Sequence, residues 1–217
     1  MKLIFLGPPG AGKGTLATLV SKEHGIPQIS TGDMFREAIK KETELGKKVK
    51  AILASGELVP DELTVSLVKE RLAQADAKKG FILDGFPRTI PQAEALEKFQ
   101  KLDAVVNFAI DDALVVKRLS GREICKNCGA IYHVTNMPSK VKGVCDKCGG
   151  PLYTRPDDSL ESINNRLSVY RRQTEPLIEF YRSRKLLQEI DSSKSPEDTH
   201  RQVGKALAGI GPSAPRQ

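Results

Sequence analysis

Short apolar runs alternate with amphipathic segments along most of this chain. The apolar runs predict five buried strands, at residues 2–6, 27–30, 81–83, 104–110 and 186–191. The segments between them predict helices, at residues 15–23, 34–41, 45–55, 62–77, 92–100, 114–119, 160–183 (interrupted at Pro176) and 196–208. Because strands alternate with helices, we predict an α/β fold, a doubly wound parallel sheet of five strands with helices on both faces.

Local signals refine three of these segments. The turn from Ser30 to Asp33 predicts a cap at the start of the second helix. Residues 211–217 predict a frayed tail. The segment 62–77 predicts a helix with one apolar face, formed by Leu63, Leu67, Val68 and Leu72.

A glycine-rich loop follows the first predicted strand. From Gly7 to Lys13 it matches the pattern G-x-x-x-x-G-K-[ST], in which backbone N–H groups, a helix N-terminus and a lysine bind phosphate. Gly14 stands where the pattern has Ser or Thr, and Thr15 comes one place later. The usual hydroxyl ligand of Mg²⁺ is therefore absent or displaced, and another group must mainly hold the metal. The alternative is a Gly/Pro-rich turn with a surface lysine, which the common register of strand, glycines and lysine disfavours.

An aspartate ends the third predicted strand. Asp84 should lie at the carboxyl edge of the sheet, where open α/β sheets bind ligands, and a carboxylate there suits Mg²⁺. The alternative is a turn or capping aspartate. Arg88 follows in a Gly-Phe-Pro-Arg loop at the same edge, which makes it a candidate phosphate ligand.

Further arginines are candidates for binding phosphate, but sequence position cannot show that they converge. They are Arg36, Arg122, Arg155 and Arg166. The chain offers no obvious general base, since its histidines are scattered and lie in no motif. Phosphoryl transfer to a phosphate oxygen needs no base, because that oxygen is already ionised. The pattern therefore favours phosphoryl transfer over hydrolysis or acyl transfer.

Four cysteines form one cluster in the sequence. Cys125, Cys128, Cys145 and Cys148 have the spacing C-x2-C-x16-C-x2-C, typical of a structural zinc site. Two disulfides are the alternative, which a cytosolic compartment would keep reduced. Four thiolates close the coordination sphere, so a zinc ion here would stabilise the fold and would not act on substrate.

Composition narrows the class of protein without deciding it. The 217 residues allow one substantial domain with an insertion or two. A formal charge of +7 suits anionic ligands, which include both nucleotides and nucleic acids. No apolar run is long enough to span a membrane, and the first apolar run is too short for a signal peptide. We therefore expect a cytosolic protein.

Six stretches, in order, are similar to the adenylate kinases of the long-lid, zinc-containing bacterial type. They are GPPGAGKGT at 7–15, ISTGDMFR at 29–36, GELVPDELT at 56–64, GFILDGFPRT at 80–89, RLSGRE at 118–123 and YTRPDDSLESINNRL at 153–167. The resemblance implies the reaction MgATP + AMP ⇌ 2 ADP. It also implies a core domain (1–29, 60–121 and 159–217), a helical nucleoside-monophosphate (NMP)-binding segment (30–59) and a zinc-bearing lid (122–158).

The resemblance also implies a role for each matching residue. The ATP-binding residues would be Gly10, Ala11, Gly12, Lys13, Gly14, Thr15, Arg118, Arg122, Ile131, Tyr132 and Lys194. The AMP-binding residues would be Thr31, Arg36, Glu57, Leu58, Val59, Gly85, Phe86, Pro87, Arg88, Gln92, Arg155 and Arg166. The catalytic residues would be Lys13, Asp84, Arg88, Arg122, Arg155 and Arg166, with Asp84 organising the Mg²⁺ water shell.

Three rival functions are open at this point. A GTP:AMP phosphotransferase would share every motif, and a pyrimidine-monophosphate kinase usually has a shorter lid. A zinc-ribbon nucleic-acid binder would need aromatic residues for base stacking, yet aromatics make up only 5% of the chain. The resemblance favours a monomer that binds ATP, AMP and ADP and neither nucleic acid nor membranes.

Overall fold

A computed structural model of the chain describes residues 1–210; the predicted tail at 211–217 lies outside the described residues. The strands in this part of the chain are β1 (Lys2–Leu6), β2 (Gln28–Ser30), β3 (Phe81–Asp84), β4 (Ala104–Ala109), β5 (Arg122–Cys125), β6 (Ile131–His133), β7 (Leu152–Tyr153) and β8 (Leu187–Asp191). The main sheet is parallel, with the order β2-β3-β1-β4-β8. The prediction of a five-stranded parallel sheet is confirmed.

Helices connect and cover these strands. They are α1 (Lys13–His24), α2 (Thr31–Lys40), α3 (Glu44–Ser55), α4 (Asp61–Leu72), α5 (Ile90–Glu97), α6 (Asp112–Ser120), α7 (Leu160–Val169), α8 (Leu177–Ser183) and α9 (Pro196–Leu207). A π-helical turn, Tyr170–Thr174, separates α7 from α8. Among residues 1–210, no helix combines the length and the apolar character that crossing a bilayer would take.

The central strand β1 divides the core into two layers. Leu3 and Phe5 point to one face of the sheet, where they join the buried residues of α1 and α9. Ile4 and Leu6 point to the other face, where they join α4, α5 and α8. Apolar side chains on both faces of one strand are the physical basis of a doubly wound sheet, and they explain the unbroken apolar run at the start of the chain.

Several predicted boundaries were wrong by a few residues. Ser30 does cap α2, accepting a hydrogen bond from the Asp33 amide (3.3 Å), but the helix begins at Thr31 rather than at residue 34. Helix α4 ends at Leu72, and residues 75–77 form a separate 3₁₀ turn. Leu63 is 41% exposed, because the buried stripe of α4 runs through Thr64, one helical position away.

A second, smaller sheet lies within residues 122–158. Its order is β6-β5-β7, and both pairings are antiparallel. The sequence pattern gave no indication of these strands, because each has only two to four residues and none shows a long alternation of polar and apolar positions. Cys125 is the last residue of β5, and the other three cysteines lie outside the strands.

Candidate functional site: a phosphate loop beside an acceptor pocket

The glycine-rich loop joins the carboxyl end of β1 to α1. Gly7 has φ +141°, and a Cβ atom there would come within 2.8 Å of the Phe108 carbonyl oxygen, so only glycine lets the chain leave β1 along this path. Gly12 is the N-cap of α1 in the left-handed conformation, with φ 86°. The loop therefore presents a helix N-terminus at the ligand-binding edge of the sheet.

Lys13 lies at the base of this loop. Its Nζ donates hydrogen bonds to the carbonyl oxygens of Gly7 (2.7 Å) and Pro8 (2.8 Å). An ammonium group has three N–H donors, so one is left for a phosphate oxygen. The pKa of Lys13 is lowered to about 8, mainly by burial; Asp84 opposes this shift, and the positive charges of Arg88, Arg166 and Arg122 contribute to it.

Asp84 faces the loop from the end of β3. A Cβ atom at Gly14 would stand 3.3 Å from the Asp84 Oδ2 atom, so the carboxylate lies beside the position where the phosphate-loop pattern has its hydroxyl residue. Burial raises the pKa of Asp84, and Lys13 opposes that rise. A buried carboxylate beside a phosphate loop is a fitting oxygen donor for Mg²⁺ and its waters.

The arginines converge, which the sequence alone could not show. Burial lowers the pKa of Arg88 to about 10, and among the neighbouring charges Arg166 contributes most to this lowering. Burial also lowers the pKa of Arg155 to about 10, with further contributions from Arg36 and Arg122. Cations that lower one another's pKa lie close together, and such a cluster is suited to a polyanion.

One buried carboxylate, that of Asp158, holds two of these arginines in place. Arg122 donates to both carboxylate oxygens of Asp158 (2.8 and 2.6 Å), and Arg166 donates to Asp158 Oδ1 (3.1 Å). Arg155 is different: its Nε is buried and without a hydrogen-bond partner among residues 1–210. A buried guanidinium donor without a partner is costly unless a ligand satisfies it, so Arg155 is well suited to contact an anion.

A pocket opens beside the phosphate loop. The predicted AMP-binding residues that line it are Thr31, Glu57, Leu58, Val59, Gly85, Arg88 and Gln92. The lining residues that sequence reasoning missed are Gly32, Phe35, Leu53 and Thr64. Phe35 follows Thr31 by four residues, so helical spacing could have placed it on the same face.

The remaining predicted AMP residues lie around this pocket. Phe86 is 1% exposed, so its side chain belongs to the core, and the Phe86–Pro87 peptide bond is cis. Arg36 pairs with Asp33 (2.6 Å), which in turn lies 3.8 Å from Arg155. The Thr31 hydroxyl donates to the Gly85 carbonyl oxygen (2.8 Å) and so ties α2 to the loop after β3.

Helix α7 contacts the segment after α3 that leads into the pocket residues 57–59. Asn165 donates to the Ser55 carbonyl oxygen (2.8 Å) and to Glu57 Oε1 (3.0 Å). Gly56 has φ 82°, and a Cβ atom there would come within 2.7 Å of Arg166 Cγ. This close approach requires glycine and sets the path of residues 57–59 beside the arginine cluster.

The predicted contacts for the ATP base lie on three parts of the chain: α6, the segment between β8 and α9, and β6. Arg118 Nη2 donates to the carbonyl oxygens of Lys194 (3.3 Å) and Ser193 (3.5 Å), and Ser192 bonds to the carbonyl oxygen of Ala11 in the phosphate loop. Arg118 and Lys194 therefore come together near that loop. Ile131 and Tyr132 lie on β6 instead, with Ile131 38% exposed.

Tyr132 is buried against the cysteine cluster. Its hydroxyl accepts from the Asp146 amide (2.8 Å) and lies 3.4 Å from Cys145 Sγ. The Tyr132 hydroxyl lowers the pKa of Cys145 to about 6, which favours the thiolate that metals bind. The side chain of Tyr132 thus serves the metal centre.

The four cysteine sulfurs form a cluster that could hold one zinc ion. All four lie within 4.8 Å of one another, and two pairs are 3.4 and 3.5 Å apart. Sulfurs around a tetrahedral zinc would be about 3.8 Å apart, given Zn–S bonds of about 2.3 Å. Tight turns bring each pair together, with Gly129 donating to the Cys125 carbonyl oxygen and Gly149 to that of Cys145. The donor set fits a structural zinc site.

A phosphate loop on a parallel sheet, with an arginine cluster and a pocket beside it, is typical of the P-loop phosphotransferases. The model of the family "Adenylate kinase" matches residues 5–186. The chain belongs to the adenylate kinase family, whose standard reaction is phosphoryl transfer between ATP and AMP.

Similar proteins come from distant organisms. An adenylate kinase of Treponema denticola is 58% identical over 91% of this chain and 94% of its own length. Those of Archaeoglobus fulgidus and Carboxydothermus hydrogenoformans are 54% and 53% identical, over 97% and 95% of this chain and 99% of their own lengths. The family assignment sets aside the pyrimidine-monophosphate kinase and zinc-ribbon alternatives.

Proposed function

We propose that the phosphate loop, the arginine cluster and the pocket hold MgATP and AMP so that their phosphates meet at Lys13. The observation that best supports this proposal is that Arg88 lines the pocket and also lies close enough to Lys13 to lower the pKa of Lys13. A nucleoside monophosphate in this pocket would have its phosphate at Arg88, next to the phosphates on the loop. The loop N–H groups of residues 10–15 and Lys13 would hold the donor phosphates.

Transfer in this site needs positioning and neutralised charge rather than a base. The attacking AMP oxygen is already ionised, so Arg88, Arg155 and Arg166 would offset repulsion between two polyanions. Asp84 would hold the water shell of Mg²⁺, which neutralises donor charge when bound. Arg122 would contribute from the lid side, held by Asp158.

Water competes with AMP as an acceptor, so the site must exclude it during transfer. We propose that residues 122–158 act as a lid, that residues 30–59 form the NMP-binding segment, and that the core comprises 1–29, 60–121 and 159–217. The strands β5, β6 and β7 form a sheet of their own, separate from the five-stranded main sheet, which supports treating these residues as a distinct lid. The contact of Arg155 with Asp33 joins it to α2 (3.8 Å).

A substrate matrix tests the proposed pair of nucleotides. We expect ATP with AMP to give the highest kcat/KM when ATP, GTP and CTP are each assayed against AMP, UMP and CMP. Higher turnover with GTP would identify the chain as a GTP:AMP phosphotransferase, and a preference for UMP or CMP would overturn the acceptor assignment.

Gln92→Leu should weaken AMP binding far more than ATP binding. Gln92 is 1% exposed and lines the pocket, and its amide can both donate to and accept from the adenine edge. We expect the KM for AMP to rise about tenfold or more, with the KM for ATP changed less than twofold. Steady-state kinetics with each nucleotide varied in turn would measure this.

Gln74→Leu is the control, because Gln74 is exposed at the end of α4. It should leave both KM values unchanged. Equal losses for AMP and ATP in Gln92→Leu would remove Gln92 from the acceptor pocket.

ATP binding should take up a proton above pH 8. The pKa of Lys13 in the protein is about 8, and nearby phosphates would raise it, so the bound form keeps the ammonium. ATP affinity should therefore be constant below pH 8 and fall as pH rises above it, by up to about tenfold per pH unit. Calorimetry at pH 8.5 to 9 in buffers of different ionisation enthalpy would detect the proton, and Lys13→Met should abolish it.

We also propose a cytosolic monomer that does not bind nucleic acid or membranes. Support against nucleic-acid binding comes from the lid, where Tyr132 is only 6% exposed and so cannot stack on a base. The monomeric state rests on family resemblance. Retention on RNA at physiological salt, or a dimer in sedimentation, would contradict these assignments.

A further inference from the structure

The amide of Gln92 is fixed by two hydrogen bonds within the protein. Its Nε2 donates to Asp61 Oδ1 (2.6 Å), and its Oε1 accepts from the Arg88 backbone N–H (2.8 Å). An ionised carboxylate only accepts and a backbone N–H only donates, so these partners determine which end of the amide is nitrogen and which is oxygen. The orientation of the Gln92 amide follows from chemistry alone.

Turning the amide over would be costly. Oε1 would then face the Asp61 carboxylate, and Nε2 would face the Arg88 N–H, so both hydrogen bonds would become repulsive contacts. Gln92 is 1% exposed, so water cannot replace the lost partners.

Asp61 is itself held firmly. It is the first residue of α4, directly after the pocket residues 57–59. Its Oδ2 accepts from the Thr89 hydroxyl (2.9 Å), and Thr89 Oγ1, as the N-cap of α5, accepts from the backbone N–H of Gln92 (3.3 Å). The carboxylate therefore joins the start of α4 to the start of α5, on which Gln92 lies.

We propose that Asp61 is a positioning residue that sets the base specificity of the acceptor pocket by fixing the Gln92 amide. The amide keeps one free N–H and one free lone pair, in a fixed order, for a base in the pocket. Adenine presents an amino donor beside a ring-nitrogen acceptor, whereas guanine and hypoxanthine present a carbonyl acceptor beside a ring N–H donor. An amide held in one orientation can pair its N–H with the ring nitrogen of adenine and its oxygen with the amino group. For guanine or hypoxanthine in the same position, donor would face donor and acceptor would face acceptor. This inference rests on the proposed binding of AMP in this pocket.

Asp61→Asn tests this role, because an asparagine can either donate or accept and so removes one of the two partners that fix the Gln92 amide, leaving only the Arg88 backbone N–H to orient it. We expect kcat/KM for AMP relative to IMP and GMP to fall about tenfold, through a higher KM for AMP, with kcat at saturating AMP and the KM for ATP changed less than about threefold. Calorimetric binding of AMP and IMP should shift by the same ratio. A merely structural role would lower activity toward all acceptors equally.

Asp76→Asn is the matched control. Asp76 pairs with Arg71 outside the pocket and undergoes the same chemical change, so its AMP-to-IMP ratio should equal that of the unmodified protein. Thr89→Val, which removes the hydroxyl that holds Asp61, is the second variant and should lower the ratio two- to fivefold. Melting curves establish that each variant is folded.

Two negative results have different meanings. Unmodified protein that binds AMP and IMP equally well would overturn the assignment of AMP to this pocket. Unmodified protein that discriminates, together with a folded Asp61→Asn or Thr89→Val of unchanged ratio, would overturn the positioning role alone.

Discussion

Lys13→Met should lower kcat by about 10³-fold or more. Methionine keeps the length and apolar stem of the side chain but removes the cation that lies at the base of the phosphate loop. A loss of about 4 kcal/mol of charge stabilisation at the transferring phosphoryl group corresponds to this factor. Steady-state kinetics with saturating MgATP and AMP would measure it.

The fold should survive this change. Lys13 is desolvated and close to Arg88, Arg122 and Arg166, so removing its charge relieves the cost of its burial and this repulsion. We expect that relief to offset the lost attraction to Asp84 and the lost hydrogen bonds to the loop carbonyls. We expect the melting temperature to move by only a few degrees. Lys22→Met, on an exposed turn of the same helix, is the control and should retain full activity. Near-normal turnover in Lys13→Met would show that the loop does not bind the transferring phosphate.

Removing the metal from the cysteine cluster should lower the melting temperature substantially. The buried cluster in the lid consists of only Cys125, Tyr132 and Cys145, with Ala130 and Leu152 partly buried beside it. Five apolar side chains of the lid that could have formed a core are exposed instead: Ile131, Val134, Met137, Val141 and Val144. Closing a four-cysteine zinc site can supply on the order of 10 kcal/mol, which this small core cannot replace.

Elemental analysis should find one zinc per chain, and melting curves with a strong chelator under reducing conditions should show the loss. Cys128→Ser should melt early without chelator, and the chelator should not shift it further. Removal of the metal should have less effect on kcat at low temperature than on the melting temperature, because no proposed phosphate ligand is a cysteine. If metal-free protein melted at an unchanged temperature, the structural role of the metal would be refuted. If metal-free protein kept its fold but lost all phosphotransferase activity, the metal would instead act on substrate.

The sequence predicted the local parts of the site because each depends on neighbouring residues. The strand, glycines and lysine from residue 2 to residue 13 define a phosphate loop by their order, and Asp84 follows from its place at the end of an apolar strand. The cysteine spacing likewise indicated a metal centre. Helix boundaries were less certain, and the short lid strands were not predicted, because a strand of two to four residues depends on its partner rather than on its own pattern.

Only the tertiary structure shows the contacts between segments that are distant in the sequence. Sequence order could not show that Arg88, Arg155 and Arg166 lie near one another, or that Asp61 reaches Gln92 across 31 positions. It also could not show that Tyr132 turns its hydroxyl to the cysteines. The sequence alone determined the family and the parallel α/β fold, and it indicated the chemistry that we propose at each motif, since these are encoded in short ordered stretches. The grouping of the arginines near Lys13, and the contacts that hold the Gln92 amide, depend on how the helices pack, which no local pattern contains.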